Sequence, residues 1–345
     1  MAASIPKPRG PAGKLALSRN VSIVIIRALR LRENVMTDFI LHHYPTSPFS
    51  EKIRLIFGAK KLAWKSVNIP RIMPKPDVIA LTGGYRKTPI MQVGADIYCD
   101  TALIAKVIDA AHPAPALYPA KIAASALALS QWADTYLFQV AVRHVLQPAN
   151  LAHMFGDSPA EIEAFTKDRQ AMRRNATTRR LSEQEALAAI RSYLGDFDRQ
   201  LAAGSRFAAG AELSIADFSV YHCLWFMRRA PLSAEFIAPY ANVNEWLQRI
   251  ADLGHGKVSE ISGAEAVEIA RQATPKAISG AANVGEIKIG TPVEILPTDY
   301  GIDPTSGALV NCAPDEIAIR RTDARAGEVV VHFPRMHYDL RPASA

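Results

Sequence analysis

Three short runs carry side chains able to do chemistry: Ser47-Pro48-Phe49, Lys87-Thr88-Pro89-Ile90 and Asp100-Thr101. Ser47 fits a helix N-cap, with Pro48 at the first helical position, where a missing N–H costs nothing. A hydroxyl there stands beside unpaired backbone N–H groups at the positive end of the helix dipole, a ready site for an anionic group. Pro89 drives Thr88 into extended geometry, and Asp100 caps a further helix. Taken locally, Ser47 and Asp100 need be nothing more than caps. Other chemistries leave weaker traces. There is no G-x-G-x-x-G or P-loop, no His/Cys cluster with zinc-like spacing, and His332 and His337 stand alone, so no metal is expected.

Taken together, in this order across about seventy residues, the three runs resemble the glutathione-binding half of the cytosolic glutathione S-transferases, a thioredoxin-like domain. Ser47-Pro48-Phe49 resembles the serine-type motif, whose hydroxyl faces the glutathione sulfur. The resemblance implies that Thr88, before a cis Pro89, pairs by backbone with the tripeptide. It also implies that Asp100 and Thr101 hold the γ-glutamyl end and that Lys87 neutralises the glycyl carboxylate. Ser47 would then activate the co-substrate: a thiol with a pKa near 8.5 is only a few per cent thiolate at neutral pH. A hydroxyl donor at a helix N-terminus favours the thiolate. A cysteine holds this position in the oxidoreductase-like transferases; Ser47 cannot form their mixed disulfide. An electrophilic, hydrophobic small molecule would sit between two domains, near Tyr44, Tyr136 and Arg143, with Trp132, Phe138 and Val140 as further neighbours. The family usually forms homodimers, and a cytoplasmic detoxifying enzyme is what the resemblance implies. Alternatives at the same site are a glutathione-dependent isomerase or peroxidase, or a non-catalytic binding protein.

The elements that must position these residues follow from periodicity and punctuation. Residues 38–112 read as the α/β thioredoxin-like domain. It has a strand over 39–43, a helix from Pro48 to about Lys60 with Phe49, Ile53, Ile56 and Phe57 on one face, a strand over 64–69, a short helix closed by Gly83-Gly84, and a hairpin around Gly94. Residues 113–121 form a Pro/Ala linker. Residues 122–274 read as an all-α bundle, whose clearest element is the helix after Ser214-Ile215-Ala216-Asp217, a Ser-x-x-Asp capping box. Residues 275–345 switch to short strands between turn signals, giving a small, barrel-like β-rich appendix that ordinary transferases lack.

Charge and cysteine usage set outer bounds. The 345-residue chain has a formal charge of +7, but seven Lys/Arg and one acid fall within its first 35 residues. The remainder holds 33 basic against 32 acidic residues, so no electrostatic case for nucleic acid survives. Residues 1–37 read as a basic, disordered extension, either an Arg-rich targeting peptide or sequence upstream of a start at Met36. Cys99, Cys223 and Cys312 are far apart, which suits free thiols in a reducing compartment. No apolar run reaches the roughly 18 residues of a membrane span.

Overall fold

The computed structural model describes residues 38–155, 158–278 and 285–343, so the expected basic extension over 1–37 lies outside the described residues. Its frame is a ten-stranded sheet. β1 (Ile40–His43) pairs in parallel with β2 (Ala63–Asn68) and antiparallel with β3 (Ile90–Val93), which forms a hairpin with β4 (Asp96–Cys99). Gly94 turns that hairpin with φ +60, a conformation side chains resist.

Strand alternation feeds two cores. Leu41 and Met91 face one, Ile40 and Ile90 the other, as a period of two requires. On the first face lie α1 (Pro48–Ala59) and α3 (Thr101–Ala111), whose Ile53, Ile56, Leu103 and Ile104 share a core with the helical bundle. On the second lies α2 (Pro76–Thr82), with Val78 and Leu81 buried. The linker is tied down rather than loose: buried Lys60 donates to the Asp109 carboxylate at 2.7 Å and to the His112 and Pro115 carbonyls at 2.6 and 2.8 Å.

The bundle comprises α4 (Ala123–Trp132), a π-helical turn (Ala133–Leu137), α5 (Phe138–Val145), α6 (Pro148–Met154), α7 (Pro159–Met172), α8 (Glu183–Ala202), α9 (Ile215–Arg228), α10 (Pro231–Ala234) and α11 (Ala241–Ala251). The box expected at Ser214 forms. Buried Asp217 accepts from the Ser214 N–H at 2.9 Å, the Ala208 N–H at 2.7 Å and the Trp246 indole at 3.1 Å, which knits α9 to α11.

The fold class is the expected one: thioredoxin-like domain, helical bundle and C-terminal β-rich segment. Its connectivity departs from the expectation in two places. First, the helical region does not run to residue 274. After α11 the chain turns through Gly254 and Gly256, both at positive φ, and adds β5 (Lys257–Glu260) in parallel to β2; α12 (Gly263–Gln272) then packs on α2. All four residues of β5 are exposed, so no apolar alternation marked it as a strand.

Second, β6 (Pro292–Pro297), β7 (Thr305–Cys312), β8 (Glu316–Asp323) and β9 (Gly327–Pro334) form an antiparallel meander, β10 (Tyr338–Pro342) returns to pair with β6, and the unit is not free-standing. β9 pairs in parallel with β4, matching Asp96 to Val330 and Tyr98 to His332. Ile317, Ile319, Val331 and Phe333 join Ile40, Ile90 and Ile97 in a single core. At the junction His332 stacks on Tyr98 and binds Asp96 at 3.1 Å and Glu316 at 3.0 Å. Among the described residues no helix is long and apolar enough to cross a membrane.

Candidate functional site

Beside the N-termini of α1 and α3 opens a cavity of about 690 Å³, lined by Ser47, Lys87, Thr88, Pro89, Asp100 and Thr101 on the sheet side and by Phe138, Val142 and Arg143 on the bundle side. The six residues singled out for the tripeptide are therefore brought together, with Tyr44 at the same cavity.

Ser47 is 2% exposed, has extended backbone, and accepts the Ser50 N–H on its Oγ at 3.3 Å while Pro48 opens the helix. Accepting there leaves its own proton free to be donated into the cavity. The preceding turn is held from behind. Arg54 donates to the Pro45 carbonyl at 3.0 Å and to Glu51 at 2.9 Å, and Glu51 in turn meets His255 at 3.1 Å. Burial alone would push the Glu51 carboxyl up, but His255 and Arg54 outweigh it and hold it below the usual carboxylate range. Ser50, the other hydroxyl of this turn, is fully buried and does not line the cavity.

The Thr88–Pro89 bond is cis, as the resemblance implied. The Thr88 hydroxyl accepts from Lys75 at 2.9 Å, and burial lowers the Lys75 ammonium to about 8. Asp100 takes φ 72 and accepts the Ala102 N–H on Oδ1 at 2.9 Å; its Oδ2 accepts from the Tyr338 hydroxyl at 3.1 Å, and Tyr85 donates to Tyr338 at 2.9 Å. Lys87 is met by Asp299 at 2.6 Å, with the Tyr300 ring 4.4 Å from its ammonium. Asp299, Tyr300 and Tyr338 all come from the C-terminal meander. No local sequence signal pointed to them, because their approach depends on strand order.

Lys52, outside all three motifs, also belongs to the site. It is fully buried, binds Asp134 at 2.6 Å and lies 3.4 Å from the Thr101 hydroxyl, while His222 binds the other Asp134 oxygen at 3.0 Å. Burial would raise Asp134, yet Lys52 and His222 hold it below its usual range; burial pushes His222 down, leaving a neutral ring that donates to the carboxylate. A signal existed: Lys52 interrupts the apolar stripe of α1 between Phe49 and Ile56, at helical spacing.

The bundle wall matches the expectation in part. Arg143 lines the cavity and pairs with Glu183 at 3.3 Å. Tyr136 does not: it is 38% exposed and packs beside Trp132, outside the cavity. Asp134 and Phe138, four residues apart on either side of it, line the cavity, and Tyr136, two residues from each, falls on the other face. Cys99 is a core thiol that burial pushes up, unsuited to nucleophilic attack. No cluster of three or more potential metal ligands occurs among the described residues.

Comparison with known proteins agrees with this geometry. The glutathione S-transferase N-terminal domain family matches residues 41–116 and the C-terminal domain family matches residues 160–249. A GST-like protein from Pseudomonas syringae is 39% identical over 89% of this chain and 100% of its own, with a TM-score of 0.74. A glutathione S-transferase from Rhodospirillum rubrum is 18% identical, covering 62% of this chain and 87% of its own, with a TM-score of 0.46. A bacterial maleyl pyruvate isomerase of the zeta class is 18% identical, covering 62% and 92%, with a TM-score of 0.43. No curated protein matches the chain.

Proposed function

The chain belongs to the glutathione S-transferase superfamily, and from that we propose that it binds glutathione in this cavity and adds its thiolate to an electrophilic small molecule. The observation that carries the proposal is Ser47, a buried cap whose free hydroxyl proton opens on the cavity at the N-terminus of α1. A hydrogen bond from Ser47 to the sulfur, with the helix end behind it, would favour the thiolate. Lowering a thiol pKa by about two units corresponds to roughly 2.7 kcal/mol, within reach of a charge-assisted hydrogen bond plus a helix terminus. Thr88 before cis-Pro89, together with Asp100 and Thr101, would fix the tripeptide so that its sulfur lies at Ser47. The thiolate forms the new carbon–sulfur bond as a leaving anion departs or, in addition, as the carbanion takes a proton from water. Phe138, Val142 and Arg143 would face the electrophile. Homodimerisation and a cytoplasmic, detoxifying role come with the same reading, and light scattering tests the first.

Glutathione titration and turnover of an activated aryl chloride test the proposal. Ser47→Ala should keep glutathione affinity within a few-fold and lose about a hundredfold in kcat, roughly 2.7 kcal/mol of barrier. Unchanged kcat would remove Ser47 from the mechanism.

A further inference from the structure

Every charged group expected to meet the ends of the tripeptide already has a partner, and those partners come from the C-terminal meander. At Lys87 that partner is a full carboxylate, with Asp299 Oδ1 at 2.6 Å and the Tyr300 ring covering the ammonium at 4.4 Å. The carboxylate is fixed by its own backbone. Asp299 Oδ1 also accepts the Tyr300 N–H at 2.7 Å, and the Asp299 carbonyl accepts the Thr177 N–H at 2.9 Å. On either side Thr298 N–H bonds the His337 carbonyl at 2.9 Å and Gly301 N–H bonds the Met172 carbonyl at 2.8 Å. Arg86, the neighbouring cation on this wall, is paired with Asp168 at 2.9 Å and lies 3.7 Å from Asp303.

A ligand carboxylate arriving at Lys87 would thus share one ammonium with a fixed, half-buried carboxylate. Like charges at such range repel strongly where water is partly excluded. We infer that Asp299 is a specificity-determining residue that selects, at Lys87, a thiol peptide whose terminal group is uncharged. The inference rests on the reading that glutathione or a derivative occupies this cavity. A neutral amide there loses nothing to repulsion and can donate its own N–H to Asp299.

Calorimetric titration of the full chain with glutathione and with its glycyl primary amide, an isostere lacking the charge, tests this. The wild type should bind the amide at least tenfold more tightly than glutathione. Asp299→Asn, which keeps the bond from the Tyr300 N–H, frees Lys87 and should reverse the order. Asp299→Glu should restore the amide preference and guards against a folding defect in the first variant. A wild type that prefers glutathione, or a ratio that Asp299→Asn leaves unchanged, overturns the inference while leaving glutathione binding intact. Failure of both thiols to bind either form overturns the glutathione reading itself, and this inference with it.

Discussion

Lys52→Met is the sharpest test of how the site is held. The ammonium is fully buried between α1, the π-helical turn and α9, with Asp134 at 2.6 Å and His222 behind it. Removing one partner of a buried pair costs about 3–5 kcal/mol, because the other charge is left uncompensated. The Asp134 side chain retains 15% exposure, so the low end, about 3 kcal/mol, is expected near neutral pH and above. The pH dependence carries the discriminating sign. In the wild type, Asp134 is depressed, so its contribution is present above the ordinary carboxylate value of 3.8 and lost as pH falls through the folded value. In the variant, burial still holds His222 down, but Lys52 no longer holds Asp134 down against burial, so the orphaned carboxylate is neutralised more readily as pH falls. The difference between the two proteins should therefore be largest at about pH 8 and shrink toward pH 5. Urea unfolding at both values reads it directly. Lys52→Met with Asp134→Leu should recover most of the loss, since an apolar pair carries no orphan charge. A loss below about 1 kcal/mol at pH 8, or a double variant as unstable as the single one, would refute the reasoning.

Three further outcomes follow from the same geometry. His42 and His43, the last two residues of β1, are buried and pushed down to about 4 and about 3, chiefly by burial. Their stabilising contribution is present above 6.5 and lost as pH falls toward those values, each by about 1.4 kcal/mol per pH unit; His42→Asn should flatten the decline measured by denaturant midpoint. Gly58→Ala would place a Cβ 1.9 Å from the Gly254 carbonyl oxygen, backbone against backbone. The gain in helix propensity of about 1 kcal/mol is smaller than the strain, so thermal unfolding should show a net loss of about 2 kcal/mol or more. A chain ending at residue 274 strips β9 from β4 and removes Ile317, Val331 and Phe333 from the shared core. It should aggregate in size-exclusion chromatography, whereas a monodisperse folded product would show that the meander is dispensable.

What could be read from sequence was what local backbone chemistry dictates. Ser47 before Pro48, Thr88 before Pro89, Asp100 before α3 and the Ser214/Asp217 box all announce caps or turns without reference to any distant residue. The strands of the meander were legible as strands for the same reason. Partnership was not legible. β5 is exposed along its length and has no pattern to read, and which face of its helix meets the cavity, the one with Asp134 and Phe138 rather than Tyr136, depends on how the bundle docks. Lys52 was visible as a charge on an apolar stripe, but its acid lies on another helix, across the cavity.

The C-terminal residues at the site follow from register rather than from any motif. β4 ends at Cys99, immediately before Asp100, and β9 runs parallel beside it with Tyr98 opposite His332. The chain leaving β9 must therefore pass the start of α3, and it does so as the turn into β10. β10 begins at Tyr338, whose hydroxyl reaches Asp100. Because β10 is antiparallel to β6 with Tyr338 opposite Pro297, the turn leaving β6 is carried to the same edge, and Asp299 arrives at Lys87. A slip of one residue in the β4–β9 pairing would exchange the two faces of the meander. Phe333 would leave the core, and neither Tyr338 nor Asp299 would reach the cavity. The hydrophobic alternation that fixes the sheet therefore also fixes the chemistry at its edge, so the meander counts as a structural part of the site.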